Sequence, residues 1–425
     1  MPGIPLTREQ WSALQAVEQF LDSSEKLYLL TGYAGTGKTT LLQVLMNRMQ
    51  QRKDRRKVVL TAFSNKATKV LGAMAYRWGL DLDCMTCCKL LGLKPVIDDQ
   101  TGRQVFKLDS KQGSQFGRYH LIVVDECSMI NEEMWELLVN AVSNLYDRSQ
   151  LLFVGDPAQL PPVGEAESPC FRQIYYRSEL TEVVRYGGAI AVLAEDIRRN
   201  LDRSYLPQFA SDTNPERTEG IFALPRQAWE RLLIRAFTSQ ASQADPDKVR
   251  ALAYTNRRVD YLNRIIRADI FGRDAPRFVR GERLVANNPC LNDETVLLQT
   301  SAECEVLGAI EGREGPWSVW YLEVKTEEGN YLTLRVLHEL SRASLQQQLQ
   351  TYAGEKRWQE FWELKQRFHD LHYAYSLTIH KSQGSTFQDV FVDLPDILVN
   401  FKLLERNQLC YVACTRAAKR LFVLQ

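Results

Sequence analysis

Gly32-Tyr33-Ala34-Gly35-Thr36-Gly37-Lys38-Thr39 decides how this chain is read. It follows the pattern G-x-x-x-x-G-K-[ST], in which glycines let backbone N–H groups approach phosphates, the lysine neutralises them and the final hydroxyl binds Mg²⁺. Just before it, Leu27 to Leu30 is a short apolar run. After it, Leu42, Leu45, Met46 and Met49 recur at helical spacing. Strand, loop and helix in that order are the context such a loop needs. ATP with Mg²⁺ is therefore the expected ligand. Gly32, Ala34, Gly35, Thr36, Gly37, Lys38, Thr39 and Thr40 are expected around its phosphates, with Thr39 also on the metal.

Outward from the loop, apolar runs return at Val58 to Ala62, Leu121 to Val124 and Leu151 to Val154, separated by helical patterns. This is the alternation of a parallel sheet with crossover helices. The second of these runs ends in Asp125-Glu126, two carboxylates at the edge of the sheet where open α/β folds bind ligands. Asp125 is expected to hold Mg²⁺. Glu126 is expected to orient or deprotonate the attacking water, the step that separates a hydrolase from a nucleotide binder. The third run leads into Gly155-Asp156-Pro157-Ala158-Gln159-Leu160-Pro161-Pro162, whose Gln159 is a candidate sensor of the γ-phosphate. Phosphoryl transfer also needs cations on the developing charge, and Arg185 and Arg416 are the candidates.

The 425 residues, 45% hydrophobic and 25% charged, are too many for one compact core and predict several domains. Lys and Arg number 53 against 52 acidic residues, so a nucleic acid would have to be held by a local groove rather than by net charge. No stretch approaches the roughly 18 apolar residues of a membrane span, and Met1 to Leu6 lacks the regions of a signal peptide. The expected location is the cytoplasm, away from membranes. Nine scattered cysteines predict reduced thiols, and Cys84, Cys87 and Cys88 lack the second pair that a zinc site requires. Outside the loop and its carboxylates there is no acidic cluster of the kind a two-metal nuclease needs.

Domain boundaries follow from where the α/β pattern breaks. Residues 1–85 and 120–177 are expected to form the nucleotide-binding lobe. Within 86–119, Lys94 to Ile97 and Val105 to Leu108 flank a polar turn and predict an inserted hairpin. A second α/β unit is expected over 178–275 and 373–425, with Val249 to Tyr254 as a strand and Val259 to Ile270 as the following helix. Between them, 276–372 predicts short strands of a small β-barrel up to about residue 340 and helices beyond it. The stripe Trp358, Phe361, Trp362, Leu364 and Phe368 is expected to be core.

The motif set resembles the superfamily-one helicases of subfamily B, and within them the Dda-type phage enzymes and their RecD-like relatives, over nearly the whole chain. Leu6-Thr7-Arg8-Glu9-Gln10 is similar to the Q-motif, which implies that Gln10 reads the adenine edge. Asp125-Glu126-Cys127-Ser128-Met129 resembles the Walker B signature, and Gly155 to Pro162 resembles motif III. Leu180 to Arg185 and Tyr411-Val412-Ala413-Cys414-Thr415-Arg416 are similar to the segments that carry the two arginine fingers. Thr378 to Thr386 resembles motif V, which implies DNA backbone contacts and, through Gln383 and Gly384, contact with the nucleotide. Ala253 to Asn263 resembles motif IV, and Trp358 to Phe368 resembles the helical stretch that precedes motif V. The implied fold is two RecA-like lobes, with a pin hairpin inserted in the first and an SH3-like barrel plus helices in the second. Thr86-Cys87-Cys88 departs from the family's usual Thr-x-His and leaves a DNA contact there open.

Single-stranded DNA is held by basic and polar groups on phosphates and by stacking on aromatic faces. Phe63, Asn65 and Lys66 follow a strand in a loop suited to this, and His380 and Lys381 do likewise in the second unit. The resemblance adds Thr86, Asn256, Arg257 and Thr378. The expected activity is ATP-driven translocation on single-stranded DNA and unwinding of duplex at single/double-strand junctions, by a monomer. The 5′-to-3′ direction is implied by the resemblance alone. Single-strand-binding, replication or recombination proteins are the expected partners. Two alternatives stand beside this: a DNA-dependent ATPase that remodels protein–DNA complexes, and a subunit of a larger recombination complex.

Overall fold

The computed structural model describes residues 5–97, 104–109, 113–143, 148–182, 188–205, 208–240, 242, 245, 247–292 and 295–425. The chain forms two compact units, one of Met1–Gly92, Ser110–Val259 and Leu377–Gln425, the other of Leu93–Asp109 and Asp260–Ser376.

The first unit holds two six-stranded sheets. In the first sheet the strands run in the order Asp83–Thr86, Val58–Ala62, Leu121–Asp125, Gln150–Gly155, Leu27–Gly32 and Arg177–Leu180. Every pairing among them is parallel. Its central strands are covered on both faces and so read as unbroken apolar runs, with Leu121, Ile122, Val123 and Val124 all fully buried. The helix Lys38–Gln51 lays Leu41, Leu42, Leu45, Met46 and Met49 into this core, and the helix Arg8–Leu21 adds Leu14, Val17 and Phe20. Each of these large side chains contributes about 1.5–3 kcal/mol by leaving water. The strand Arg177–Leu180 corrects the expected start of the second α/β unit at residue 178, because it pairs with the loop-bearing strand of the first sheet. It is an edge strand with a single fully buried residue, Leu180, so it lacks the apolar signature of the others.

The second sheet runs Ser376–Thr378, Val249–Ala253, Phe387–Asp393, Ala417–Leu424, Gly220–Leu224 and Asp212–Thr213. The pairings of Phe387–Asp393 with both of its neighbours, and of Gly220–Leu224 with Ala417–Leu424, are parallel, and Asp212–Thr213 closes the edge antiparallel. Phe422 stacks on Phe391 and Phe222, with ring centroids 4.4 and 4.9 Å away, and Trp229 meets Phe391 edge-on. The helix that follows Val249–Ala253 is Asn256–Phe271, beginning three residues ahead of its expected start.

The second unit is built on a five-stranded antiparallel sheet. Its order is Tyr331–Leu337, Trp317–Thr326, Glu303–Glu314, Arg283–Ala286 and Leu371–Tyr373. The two outer strands approach each other, since His369 N–H donates to Arg335 O at 2.7 Å and Arg335 N–H donates to His369 Nδ1 at 3.0 Å. The sheet therefore curls toward a barrel around Leu284, Val306, Leu322, Val324 and Leu334. Helices Glu339–Gly354 and Trp358–Gln366 fall in the segment expected to be helical. Of the aromatic stripe, Trp362 and Phe368 are buried, while Trp358 is 47% exposed and is not core. The expected hairpin pairs Leu93–Ile97 with Gln104–Leu108; its turn, 98–103, lies outside the described residues.

None of the nine cysteines is in a disulfide. Eight are buried and only Cys84 is partly exposed. Among the described residues no group of side chains is placed to hold a structural metal, and no helix is long and apolar enough to cross a membrane.

Candidate active site

The glycine loop leaves the strand Leu27–Gly32 and enters the helix Lys38–Gln51 with Gly37 in the left-handed region at φ 84°. A Cβ at Gly37 would run into Gln10 Nε2, and one at Gly32 would come within 2.5 Å of Thr36 Oγ1. The loop thus closes on itself more tightly than side chains at either position permit. Gln10 braces it from outside: Nε2 donates to Thr36 O at 2.9 Å, while Oε1 accepts the Thr7 N–H in a capping box that starts the helix Arg8–Leu21. Thr36 Oγ1 donates to Tyr33 O. Lys38 Nζ donates to Gly32 O at 2.6 Å and Tyr33 O at 3.1 Å, so its ammonium rests on the loop's own carbonyls. Thr39 and Thr40 follow in the first turn of the helix.

Asp125 ends its strand at the same edge of the sheet, and its carboxyl is pushed up to about 7 by burial and by the neighbouring Glu126. Glu126 sits at φ 51°, ψ 43°, a left-handed setting that costs a non-glycine residue about 1–2 kcal/mol. Next along the edge, Asp156 is fully buried and its carboxyl is raised by that burial, against the opposing pull of Lys38. It accepts the Ala158 N–H at 2.9 Å.

Side chains from the second sheet reach this edge. Gln383 Nε2 donates to Leu160 O and Gln408 Nε2 to Gln159 O, both at 3.1 Å. The Tyr411 hydroxyl donates to Asp156 Oδ2 and accepts the Ala34 N–H. Gln159 is 6% exposed and its Oε1 is buried without a partner. Gly384, at φ 72°, lies against Ala67 of the first sheet's helix Asn65–Arg77. A small cleft opens beside the loop, lined by Tyr33, Ala34, Ala191, Ala194, Arg198 and Tyr411. The Arg198 guanidinium lies 3.6 Å from the centre of the Tyr33 ring. Arg416 is 6% exposed and bonds within its own lobe, to Val412 O, Ser385 O and Thr415 Oγ1. Arg185 lies outside the described residues. The segment just before it is fixed by Glu9, whose carboxylate accepts the N–H groups of Thr181 and Glu182 and the Thr181 hydroxyl.

The DNA candidates divide into two sets. Lys66 lies 4.7 Å from the Phe387 ring centre and 4.0 Å from Asp247, and Thr86 is buried with its hydroxyl capping the helix Cys87–Leu91. Phe63 and Asn65 are half-buried, Asn65 opening the helix that Ser64 caps. Asn256 and Arg257 are exposed at the start of the helix Asn256–Phe271. Thr378 accepts the Lys381 N–H; His380 is held neutral-leaning by burial, its ring 6.4 Å from Tyr254, and Lys381 is half-buried beside it.

Sequence reasoning passed over Glu9, Asp156, Asp396, Gln408 and Tyr411. The signals were there: Asp156 is another strand-end carboxylate, and Gln408 and Tyr411 are polar residues in a helix, Leu403–Thr415, that is buried along most of its length.

Two parallel α/β sheets, one ending in a phosphate-binding loop and paired carboxylates, the other contributing side chains to the same edge, define a two-lobed P-loop nucleoside triphosphatase. Residues 5–211 match the family described as AAA domain, and residues 373–424 match the UvrD-like helicase C-terminal domain. Among the relatives the chain matches, Dda, RecD and Pif1 are superfamily 1B helicases. The chain is 24% identical over 462 residues to the ATP-dependent DNA helicase dda of Enterobacteria phage T4, covering 98% of both chains. It is also 24% identical over 494 residues to an uncharacterized protein of Acanthamoeba polyphaga mimivirus, again covering 98% of each. Bacteroides Pif1 bound to single-stranded DNA superposes with a TM-score of 0.53 at 16% identity, over 99% of this chain and 92% of that one, and shows the same two RecA-like lobes.

Proposed function

We propose that this chain is an ATP-dependent DNA helicase that moves along single-stranded DNA and unwinds duplex, in the 5′-to-3′ direction. The observation that carries it is that the second sheet's segments reach the edge bearing the glycine loop and the carboxylates: Tyr411 bonds Ala34 and Asp156, while Gln383 and Gln408 hold Leu160 O and Gln159 O. A nucleotide binder needs only the first sheet. An engine that moves one lobe against the other needs both.

In this reading the backbone of Gly32 to Gly37 cradles the phosphates of ATP and Lys38 transfers its ammonium from Gly32 O and Tyr33 O to them. The residues present suit a divalent cation: two adjoining carboxylates, one raised to about 7, need a positive charge, and Thr39 offers a hydroxyl in the helix's first turn. Mg²⁺, when bound, supplies charge neutralisation on the phosphates. Thr39 and Asp125 would hold it. Glu126 orients and deprotonates the attacking water, and Gln10 reads the adenine edge with Gln383 and Gly384 near the nucleotide. The buried, partnerless Gln159 Oε1 costs about 1–3 kcal/mol, which is recovered if that oxygen positions the water once ATP is in place. Arg416 leaves its own carbonyls to meet the γ-phosphate, joined by Arg185.

DNA crosses the sheet edges on Phe63, Asn65 and Lys66 in the first lobe and Asn256, Arg257, Thr378, His380 and Lys381 in the second; Thr86, expected among them, is buried with its hydroxyl capping the helix Cys87–Leu91 and drops out. The hairpin of Leu93–Ile97 and Gln104–Leu108 serves as the strand-separating pin, the curled sheet of the second unit as an SH3-like barrel. The protein works in the cytoplasm as a monomer alongside single-strand-binding, replication or recombination proteins. Duplexes carrying only a 5′ or only a 3′ single-stranded tail, in DNA and in RNA, test this directly. Unwinding from the 5′ DNA tail is expected. Unwinding only from a 3′ tail overturns the direction, and ATP hydrolysis indifferent to DNA overturns the helicase.

A further inference from the structure

Tyr411 belongs to the helix Leu403–Thr415 of the second lobe and is 1% exposed. Its hydroxyl accepts the Ala34 N–H of the phosphate-binding loop at 2.9 Å and donates to Asp156 Oδ2 at 2.7 Å. Two segments of the first lobe are thus joined through one atom of the second. One turn earlier, Gln408 holds Gln159 O, so the same helix grips the segment after Asp156 at a second point.

We propose that Tyr411 is a positioning residue that ties the occupancy of the phosphate-binding loop to the setting of the helix Leu403–Thr415, which leads directly into Arg416. The proposal rests on the helicase reading only for the use to which this coupling is put.

The physical chain is short. Asp156 is buried, and the groups that ease its charge are Lys38, the Tyr411 hydroxyl and the Ala158 N–H, while Glu126 opposes it. Phosphates entering the loop draw the Lys38 ammonium toward themselves and bring negative charge close to this carboxylate. Asp156 must then lean harder on its remaining donors. The Ala158 N–H is only two residues away and fixed by the turn, whereas the Tyr411 hydroxyl is carried by a helix of the other lobe. Because that hydroxyl also accepts the Ala34 N–H, any movement of the loop around phosphates reaches it from the other side. Both changes converge on Tyr411 and displace its helix, and Arg416 with it.

The substitution Tyr411→Phe keeps the ring and its packing and removes only the hydroxyl. ATP turnover of the full chain is measured with and without single-stranded DNA. Amide hydrogen exchange over 403–415 is measured with and without a non-hydrolysable ATP analogue. The ratio of DNA-stimulated to DNA-free turnover is expected to fall about tenfold, within the range of ordinary coupling between sites. The analogue is expected to lose its effect on exchange in that helix. A merely structural role lowers both rates together, leaves the ratio unchanged and overturns the proposal. Should Tyr411→Phe fail to fold, Gln408→Leu carries the same test from the same helix, and an unchanged ratio there overturns it equally. If the wild-type chain shows no DNA stimulation, the helicase reading fails on its own. The exchange measurement needs no DNA and still decides the coupling: an equal response to the analogue in wild type and variant overturns it.

Discussion

In the first sheet the strand Leu27–Gly32 ends in a glycine loop that turns its backbone toward a ligand, whereas in the second sheet the strand Val249–Ala253 ends in backbone that is already answered. There the Tyr254 and Thr255 N–H groups both donate to Asp396 Oδ2 at 2.8 Å, and the Thr255 hydroxyl donates to Asp396 Oδ1 at the same distance. The same strand-to-helix junction thus has two fates. One presents an anion site to solvent, and the other fills it with the protein's own carboxylate. Under the proposed function the two sheets divide the labour by this difference: the first would bind nucleotide through backbone and Lys38, the second would reach it only through side chains on other elements.

The comparison breaks most easily at the open site. Lys38→Ala is expected to reduce DNA-stimulated ATP hydrolysis by about 10²–10³-fold or more, since it removes the charge aimed at the phosphates. Turnover at the wild-type rate would show that the loop is not where ATP is used. Glu126→Gln is expected to bind ATP in a filter or fluorescence assay but to hydrolyse it about 10²-fold more slowly, the low end for loss of a general base. The closed site is tested by Asp396→Ala, which strips the acceptor from three donors. Thermal denaturation should then show a loss of about 2–3 kcal/mol, the scale of bonds to a charged group. An unchanged melting temperature would mean the carboxylate is not what fills the junction. The smallest effect concerns the rim: Arg257→Ala should reduce the slope of log DNA affinity against log salt by about 0.7 if it meets one phosphate of a single strand.

Much of the first sheet was legible because buried parallel strands must be largely apolar, as Leu121 to Val124 is throughout and Leu27 to Leu30 and Val58 to Ala62 are but for Tyr28 and Thr61. Arg177–Leu180 was not, because an edge strand with one buried face residue carries no such run. Trp358 shows the opposite failure. Helical spacing placed it with Trp362 and Phe368, but the helix Trp358–Gln366 is short, and its first residue projects past the surface it covers. At the site, the loop and Asp125-Glu126 were readable as motifs. The supporting contacts were not: Gln10 stood out through its resemblance to the Q-motif, but its bond to Thr36, 26 positions away, and that of Tyr411 to Ala34, 377 away, join groups too distant in sequence to be read there. Nor does sequence reveal that Lys66, expected on DNA, lies over Phe387, or that the Thr86 hydroxyl is spent on a helix cap.

The sequestered thiols give the molecule a practical property. Alkylation requires thiolate, and burial pushes Cys87, Cys290, Cys304 and Cys410 up to about 12, while even the partly exposed Cys84 is raised to about 11. At neutral pH these five thiols are held protonated, so slow reaction with maleimide dyes is expected of them, a rate that mass spectrometry of the labelled native chain measures. A single cysteine introduced on the outer face of each lobe would take label ahead of these, and the distance between the lobes with and without ATP could be followed by energy transfer in one molecule at a time.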